Sequence, residues 1–179
     1  HNTPPELLQE LQKDVHRLQL VADRFSKIGS TPKLEVQDLS QLVARIKDYM
    51  QVRAPKHVRI DCIANETPIS IPMSATLIEW VIENLLRNAL DAMTHKGVIL
   101  ISLQKEDKQV VIDISDTGKG MSKAQAKQIF KPGYSTKKRG WGLGLSLSKR
   151  IVEQYHKGSL QLRQTELGKG ATFRIILPL

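Results

Sequence analysis

The sequence predicts an α+β fold: a two-layer α/β sandwich in which helices cover one face of a mixed sheet, preceded by one long helix. Residues 5–28 carry apolar side chains at alternating gaps of three and four, which is the spacing of a long helix. From residue 58 onward, short segments of alternating polarity indicate strands, and helical patterns with one apolar face lie between them. These patterns divide the chain into an N-terminal helix at 1–31 and an α/β domain at 32–179.

The N-terminal helix has a heptad seam, so it needs a partner helix. Its apolar positions are Leu8, Leu11, Val15, Leu18, Ala22 and Phe25. A helix over 5–28 would be about 36 Å long. Gly29 and Pro32 then end it, because glycine favours the position after the last turn and proline cannot continue the helix. We expect the seam to pack against a helix from another segment or another copy of the chain.

The remaining elements follow from local signals. In order, the sequence predicts a helix to Arg53 capped by Asp38, a strand at 58–64, a short strand at 69–71, a helix at 75–94 capped by Ser74, strands at 98–103 and 110–115, a helix at 123–130, a loop rich in glycine and lysine to 142, a helix to 156, and a closing hairpin of strands at 159–163 and 172–177.

The composition restricts the classes of function. The net charge of +9 favours polyanionic partners, while the 4% aromatic content argues against stacking on single-stranded nucleic acid. Cys62 is the single cysteine, which excludes an internal disulfide and a multi-cysteine zinc site. No apolar run reaches the length of a membrane span. We expect no nucleic-acid partner, no membrane contact by this chain, and a cytoplasmic location, with any membrane anchor elsewhere in a longer protein.

The first motif with a chemical reading is ENLLRNALDA, which begins at Glu83 on the central predicted helix. Asn84, Asn88 and Asp91 are four and three residues apart and therefore share one face of that helix. Carboxamide and carboxylate oxygens suit a hard cation such as Mg²⁺. Taken alone, the motif also fits an ordinary solvated helix face.

The second motif is DTGKG, which begins at Asp116 directly after the strand at 110–115. A carboxylate at a strand end can accept a hydrogen bond from the amine of a flat base. Gly118 and Gly120 would let the backbone approach the ring without a side chain in the way. Taken alone, the motif also fits a common aspartate turn.

The third motif is KKRGWGLGL, which begins at Lys137 and opens the helix that ends at 156. The amides of Gly142, Leu143 and Gly144 would lie at the start of that helix, where backbone N–H groups favour an anion. The spacing differs from the Walker loop, and no strand leads directly into it as in a dinucleotide fingerprint.

The order and spacing of the motifs carry the family assignment. The asparagine helix, the DTGKG turn, the glycine-rich helix start and the final GKGATF segment at 168–173 resemble the ATP site shared by histidine kinases, gyrase, ninety-kilodalton heat-shock chaperones and mismatch-repair ATPases. Within that superfamily, IFKPGYSTK at 129–137 resembles the lid of sensor histidine kinases. The resemblance implies an ATP-binding catalytic domain at 32–179. It also implies that 1–31 is the second helix of a dimerisation hairpin whose acceptor helix is missing.

The resemblance also implies a role for each motif residue. ATP and Mg²⁺ are the expected cofactors, with Asn88 as the metal ligand. The expected nucleotide contacts are Asp116 on the adenine amine, Gly118 and Gly120 beside the base, Thr172 at the adenine end through water, Asn84 near the phosphates, Asp91 on the same box, and Gly142, Leu143 and Gly144 as phosphate-binding amides. The expected catalytic residues are Asn88, Lys137 as a charge supplied by the lid, and Glu83 as a group that orients a histidine nucleophile.

One position separates phosphoryl transfer from hydrolysis. Hydrolysing relatives place a glutamate four residues before the metal asparagine, where this chain has Asn84, and a carboxamide cannot act as a general base. Glu83 is rotated from that place by about 100° around the helix. The resemblance therefore implies transfer to a histidine and then to a response-regulator receiver domain, in a homodimer joined by the hairpin. A protein serine kinase, an ATPase of the superfamily and a non-catalytic nucleotide-sensing module remain open as alternatives.

Overall fold

The computed structural model describes residues 32–64, 67–94, 96–137 and 141–179. The chain divides into two units, His1–Lys33 and Leu34–Leu179, and nearly all described residues belong to the second. The helix predicted at 5–28 lies outside the described residues. None of the described helices is long and apolar enough to cross a membrane.

The second unit combines strands and helices. Its elements are β1 (Glu35–Asp38), α1 (Leu39–Arg53), β2 (Val58–Ala64), β3 (Ser70–Met73), α2 (Ala75–Ala92), β4 (Gly97–Lys105), β5 (Gln109–Asp116), α3 (Lys123–Ala126), α4 (Gly144–Arg150), a π-helical turn (Ile151–Tyr155), β6 (Ser159–Glu166) and β7 (Gly170–Pro178).

A five-stranded mixed sheet forms one layer of the sandwich. Its strand order is β2-β4-β5-β7-β6, with β2 parallel to β4 and the other neighbours antiparallel. Side chains alternate between the two faces of a strand, and one face of this sheet is apolar and buried. Helix α1 contacts β2, and α2 contacts β5 and β7. The predicted α+β sandwich is confirmed.

Helix α2 is the central element of the helical layer. Its buried positions recur every three or four residues, at Leu77, Ile78, Val81, Ile82, Leu85, Leu86 and Ala89. This spacing places the asparagines on a different side from the core. The helix ends at Ala92, two residues before the predicted end, because Met93 leaves helical geometry.

The outer face of the sheet carries an ion cluster. Asp113 accepts two hydrogen bonds from Arg174, at 2.8 and 2.7 Å, and one from Arg163 at 2.8 Å. The Arg174 hydrogen bond is the main cause that holds the pKa of Asp113 below its usual range. This face is therefore polar at its centre, in contrast to the helix-covered face.

Four predicted features differ from the structure. The short strand predicted at 69–71 is β3, and it pairs antiparallel with β1, which the sequence pattern did not predict. The helix predicted at 123–130 ends at Ala126 and continues as turns. The helix predicted to reach 156 changes from α4 to a π-helical turn after Arg150. The closing hairpin is longer than predicted at both strands.

Candidate functional site

Asp116 lies at the end of β5, on the helix-covered face of the sheet. The residue is only 8% exposed, and its Oδ1 accepts a hydrogen bond from the Gly118 N–H at 2.8 Å. Burial raises the pKa of Asp116, and hydrogen bonds from the backbone of Gly118 and Ala171 act in the opposite direction. The result is a nearly buried carboxylate whose orientation is fixed by backbone donors.

The DTGKG turn is attached to the C-terminal end of α2. The Lys119 N–H donates to the Ala92 carbonyl at 2.9 Å. Gly118 lies so close to Ala92 that an added Cβ would stand 2.8 Å from the same carbonyl oxygen. Asp116 is thereby placed next to the end of the helix that carries the asparagines.

On α2, the structure brings Asn88, Asp91 and Lys137 together. The Lys137 ammonium donates to Asn88 Oδ1 at 2.9 Å and pairs with Asp91 Oδ2 at 2.5 Å. The side chains of Lys137 and Asp91 are 46% and 55% exposed, so this ion pair adds little to stability. The contact is informative for its geometry, because it shows that Asn88 Oδ1 and Asp91 Oδ2 can bind one cation between them.

Asn84 connects α2 to the start of α4. Its Nδ2 donates to Ser148 Oγ at 2.9 Å, and an added Cβ on Gly144 would stand 2.6 Å from its Oδ1. This contact brings the turn at 142–144 against α2. The Gly142 carbonyl in turn accepts from the Gly133 N–H at 3.0 Å, which closes the base of the loop between them.

Glu83 does not join this group through a hydrogen bond of its own. Its carboxylate accepts from Arg87 Nη2 at 3.2 Å, one turn along the same helix. The charge of Glu83 is thus compensated on α2 itself, and its predicted role toward a histidine nucleophile stays a prediction.

The structure places Ala171, and not Thr172, across from Asp116. Residues paired directly across antiparallel strands point to the same face, and the pairs here are Asp116 with Ala171 and Ser115 with Thr172. The Thr172 hydroxyl lies 2.9 Å from Ser115 Oγ, on the outer face. Thr172 therefore lies one residue out of phase with Asp116, and its predicted role at the adenine end through water stays a prediction.

His156 is a polar residue of this region whose position the sequence did not reveal. It is 2% exposed; Nε2 accepts from the Ser74 N–H at 3.1 Å, and Nδ1 lies 2.9 Å from the Ile151 carbonyl. Ser74 is the N-cap residue of α2, but its side chain makes no capping hydrogen bond. The sequence offers only a histidine at the end of a predicted helix, which is too common to assign a role.

The pH dependence of stability is expected to depend on His156. Burial lowers the pKa of this histidine, so below pH 6.5 the unfolded chain takes up a proton that the folded chain does not. We expect the free energy of unfolding to fall as pH drops below 6.5, by at most about 1.4 kcal/mol per pH unit from this group.

Denaturant unfolding of the protein and of His156→Gln, at pH values between 5 and 8, measures this effect. The variant is expected to show a shallower slope below pH 6.5. Equal slopes in both proteins would exclude His156 as the source.

Comparison with known proteins places this site in a family. The family model described as "Histidine kinase-, DNA gyrase B-, and HSP90-like ATPase" matches residues 73–179. Sporulation kinase C of Bacillus subtilis (strain 168) is 42% identical over 102 residues, which are 57% of this chain and 23% of that protein. Sensor histidine kinase ZraS of Escherichia coli (strain K12) is 32% identical over 176 residues, which are 97% of this chain and 37% of that protein. The chain thus spans less than two fifths of either relative.

Solved structures agree with the family model. The catalytic domain of histidine kinase ThkA superposes with a TM-score of 0.75 at 24% identity, covering 82% of this chain and 96% of that one. Full-length ShkA in complex with AMPPNP superposes with a TM-score of 0.76 at 25% identity, covering 91% of this chain and 36% of that one. The chain therefore belongs to the family of histidine kinase-, DNA gyrase B- and HSP90-like ATPases, and its fold is that of a histidine kinase catalytic domain.

Proposed function

We propose that residues 32–179 are the ATP-binding catalytic domain of a sensor histidine kinase. The proposal rests on the contact of Lys137 with Asn88 and Asp91 of α2. The C-terminal end of the same helix holds the turn that follows the buried Asp116. A cation-binding face on a helix and a base-reading carboxylate next to the end of that helix suit the two ends of a nucleotide. The similarity to sensor histidine kinase ZraS, and the AMPPNP bound to ShkA, support the same conclusion.

Mg²⁺ is the metal that the family implies, and the residues fit it. Mg²⁺ prefers oxygen ligands, and Asn88 Oδ1 and Asp91 Oδ2 already bind one cation, the Lys137 ammonium. We assign Asn88 as the metal ligand, with Asp91 beside it. The metal would neutralise charge on the phosphates, which is the main requirement of phosphoryl transfer.

The remaining residues bind and orient the nucleotide. Asp116 accepts a hydrogen bond from the adenine amine, and the Gly118 backbone borders the base. The amides of Gly142, Leu143 and Gly144 face the phosphates at the start of a helical segment that continues to Tyr155. Lys137 lies within reach of the same end of the site through its contact with Asn88.

The reaction is transfer of the γ-phosphoryl group to a histidine on a companion helix. A bond forms between the imidazole nitrogen and the γ-phosphorus while the bond to the bridging oxygen breaks, and ADP leaves with that electron pair. Asn84 cannot deprotonate water, and its amide is already occupied by Ser148. This arrangement favours transfer to a protein side chain over hydrolysis.

The same proposal covers the N-terminal segment and the partners of the protein. Residues 1–31 supply one helix of a dimerisation hairpin, the protein acts as a homodimer in the cytoplasm, and the phosphoryl group passes on to an aspartate of a response-regulator receiver domain. The acceptor histidine then lies on the other helix of the hairpin.

Incubation with γ-labelled ATP and a separately expressed dimerisation hairpin tests the function. Acid-labile phosphate is expected on the hairpin and not on a hairpin whose acceptor histidine is replaced by glutamine. Acid-stable phosphate would identify a serine kinase, rapid release of inorganic phosphate an ATPase, and binding without transfer a sensing module.

Asn88→Ala is expected to remove most of the Mg²⁺ dependence of nucleotide binding. A contact to a charged group contributes about 1.5–3 kcal/mol, or roughly ten- to hundredfold in affinity. Calorimetric titration with ADP, in Mg²⁺ and in EDTA, measures the difference. Arg87→Ala, a change one residue away on α2, serves as the control. Unchanged Mg²⁺ dependence in Asn88→Ala would remove this residue from the metal site.

A further inference from the structure

Two polar contacts connect α2 to the helical segment that follows the turn at 142–144. At one end, Asn84 Nδ2 donates to Ser148 Oγ at 2.9 Å; at the other, the Ser74 N–H donates to His156 Nε2 at 3.1 Å. Ten residues separate the two contact points on α2 and eight separate those on the second segment, or about 15 and 12 Å along the axes. The chain order is reversed between the two, so the segments run antiparallel with a contact near each end.

Each of these part-buried contacts has one buried partner, and each hydrogen bond is a directional constraint. Ser148 is fully buried, and His156 is 2% exposed. Among the described residues, every buried side-chain polar atom has a hydrogen-bond partner. Because Nε2 of His156 accepts the Ser74 N–H, Nδ1 carries the proton and donates to the Ile151 carbonyl at 2.9 Å. The ring is thus held from both sides.

The π-helical turn accounts for the reach of His156. A π turn inserts an extra residue into a helix and changes the direction of the side chains that follow. Here it covers Ile151–Tyr155, immediately before the histidine. The ring can then reach the start of α2, which lacks a side-chain cap of its own.

Apolar packing alone would not fix the axial position of these segments. The remaining buried side chains of the segment, Leu147, Ile151 and Val152, are aliphatic and make contacts without a preferred direction. Hydrogen bonds have narrow limits of distance and angle. Gly144 already approaches Asn84 so closely that a Cβ would stand 2.6 Å from Oδ1, so the turn has little freedom to shift.

We propose that Ser148 and His156 are positioning residues that hold the phosphate-binding turn at 142–144 in register with Asn88 on α2. This inference rests on the proposed function. The adenine end has separate supports, since Asp116 is fixed by Gly118 and by its pairing with β7. Loss of either polar contact therefore weakens binding of the phosphates and leaves binding of the adenosine moiety intact.

Calorimetric titration with adenosine and with ADP separates the two ends of the site. For Ser148→Ala and for His156→Leu, we expect the ratio of ADP affinity to adenosine affinity to fall about tenfold, with adenosine affinity within about twofold of its original value. In His156→Gln, the amide oxygen can accept the Ser74 N–H, so most of the ratio is expected to return. Ile175→Val, a core change on β7 with a small cost in stability, is the control whose ratio stays unchanged.

The titrations distinguish two kinds of failure. If the unaltered protein does not bind ADP, the proposed function is wrong and this inference falls with it. If the unaltered protein binds ADP but the ratio is unchanged in Ser148→Ala, the contacts serve stability alone and the inference is overturned. Ser148→Ala removes a single oxygen atom, so the ratio can be measured on it even where His156→Leu does not fold.

Discussion

Asp116→Asn is expected to weaken binding of ADP and ATP by roughly ten- to hundredfold, which corresponds to the loss of a charge-assisted hydrogen bond of about 1.5–3 kcal/mol. The asparagine keeps an oxygen for the Gly118 N–H, so the turn is expected to stay folded. Its NH₂ group, however, presents a donor in the place of the acceptor that the adenine amine requires.

The stability of Asp116→Asn is expected to change in the opposite direction. Burial raises the pKa of Asp116, which means that the fold disfavours its charged form. A neutral carboxamide relieves this cost, so thermal unfolding of the variant is expected at the same or a higher temperature.

Calorimetry with ADP and a thermal melt measure both effects. Asp107→Asn, in the exposed turn between β4 and β5, makes the same change in charge away from the site and is expected to leave ADP affinity unchanged. Equal ADP affinity in Asp116→Asn and the unaltered protein would exclude Asp116 as the adenine contact.

Gly170→Ala is expected to destabilise the domain by about 3 kcal/mol or more, whereas Gly168→Ala costs about 1–2 kcal/mol. Both glycines have left-handed backbone angles, with φ of +89° at Gly170 and +77° at Gly168. They differ in their surroundings. A Cβ on Gly170 would stand 1.8 Å from the Asp116 carbonyl oxygen, whereas one on Gly168 would have no described residue within 4 Å apart from its two chain neighbours.

Comparison of the two substitutions therefore separates the cost of backbone strain from the cost of a steric clash with β5. Gly170→Ala must push β7 away from β5 at the residue that is predicted to read the adenine, so ADP binding is expected to be lost together with stability. Circular-dichroism melts and ADP titrations of both variants provide the measurement. Equal destabilisation by the two substitutions would show that the close approach of β7 to Asp116 is not required.

The parts of the fold that could be predicted from sequence are those set by local patterns. Helix α2 and strands β4 and β5 have strong periodicity, and Asp38 caps α1 as predicted, accepting from the Gln41 N–H at 3.0 Å. Strand β1 could not be predicted, because its four residues are mostly exposed and its partner β3 lies more than thirty residues away. Its pairing depends on tertiary structure and not on its own residues.

In the site, too, local spacing could be predicted from the sequence, whereas contacts between distant residues could not. Helical spacing places Asn88 and Asp91 on one face, but their contact with Lys137, 49 and 46 residues away, is not predicted by the sequence. The family resemblance implies only that Lys137 supplies charge from the lid. Thr172 and Ala171 are adjacent, and a shift of one residue exchanges the faces of a strand. Sequence alone could not decide between them without the register of β5 and β7. The Ser74–His156 contact joins residues 82 apart and left no periodic signal.

If the proposed function holds, the contact of Lys137 with Asn88 and Asp91 would make nucleotide binding an exchange of counterions. The ammonium balances the Asp91 carboxylate before any metal arrives, and Mg²⁺ would take over that task as Lys137 turns to the phosphates. The local charge is then balanced both before and after binding, so few ions need to be gathered from or released to solution at this point. Nucleotide affinity is accordingly expected to vary less with ionic strength than the net charge of +9 would suggest.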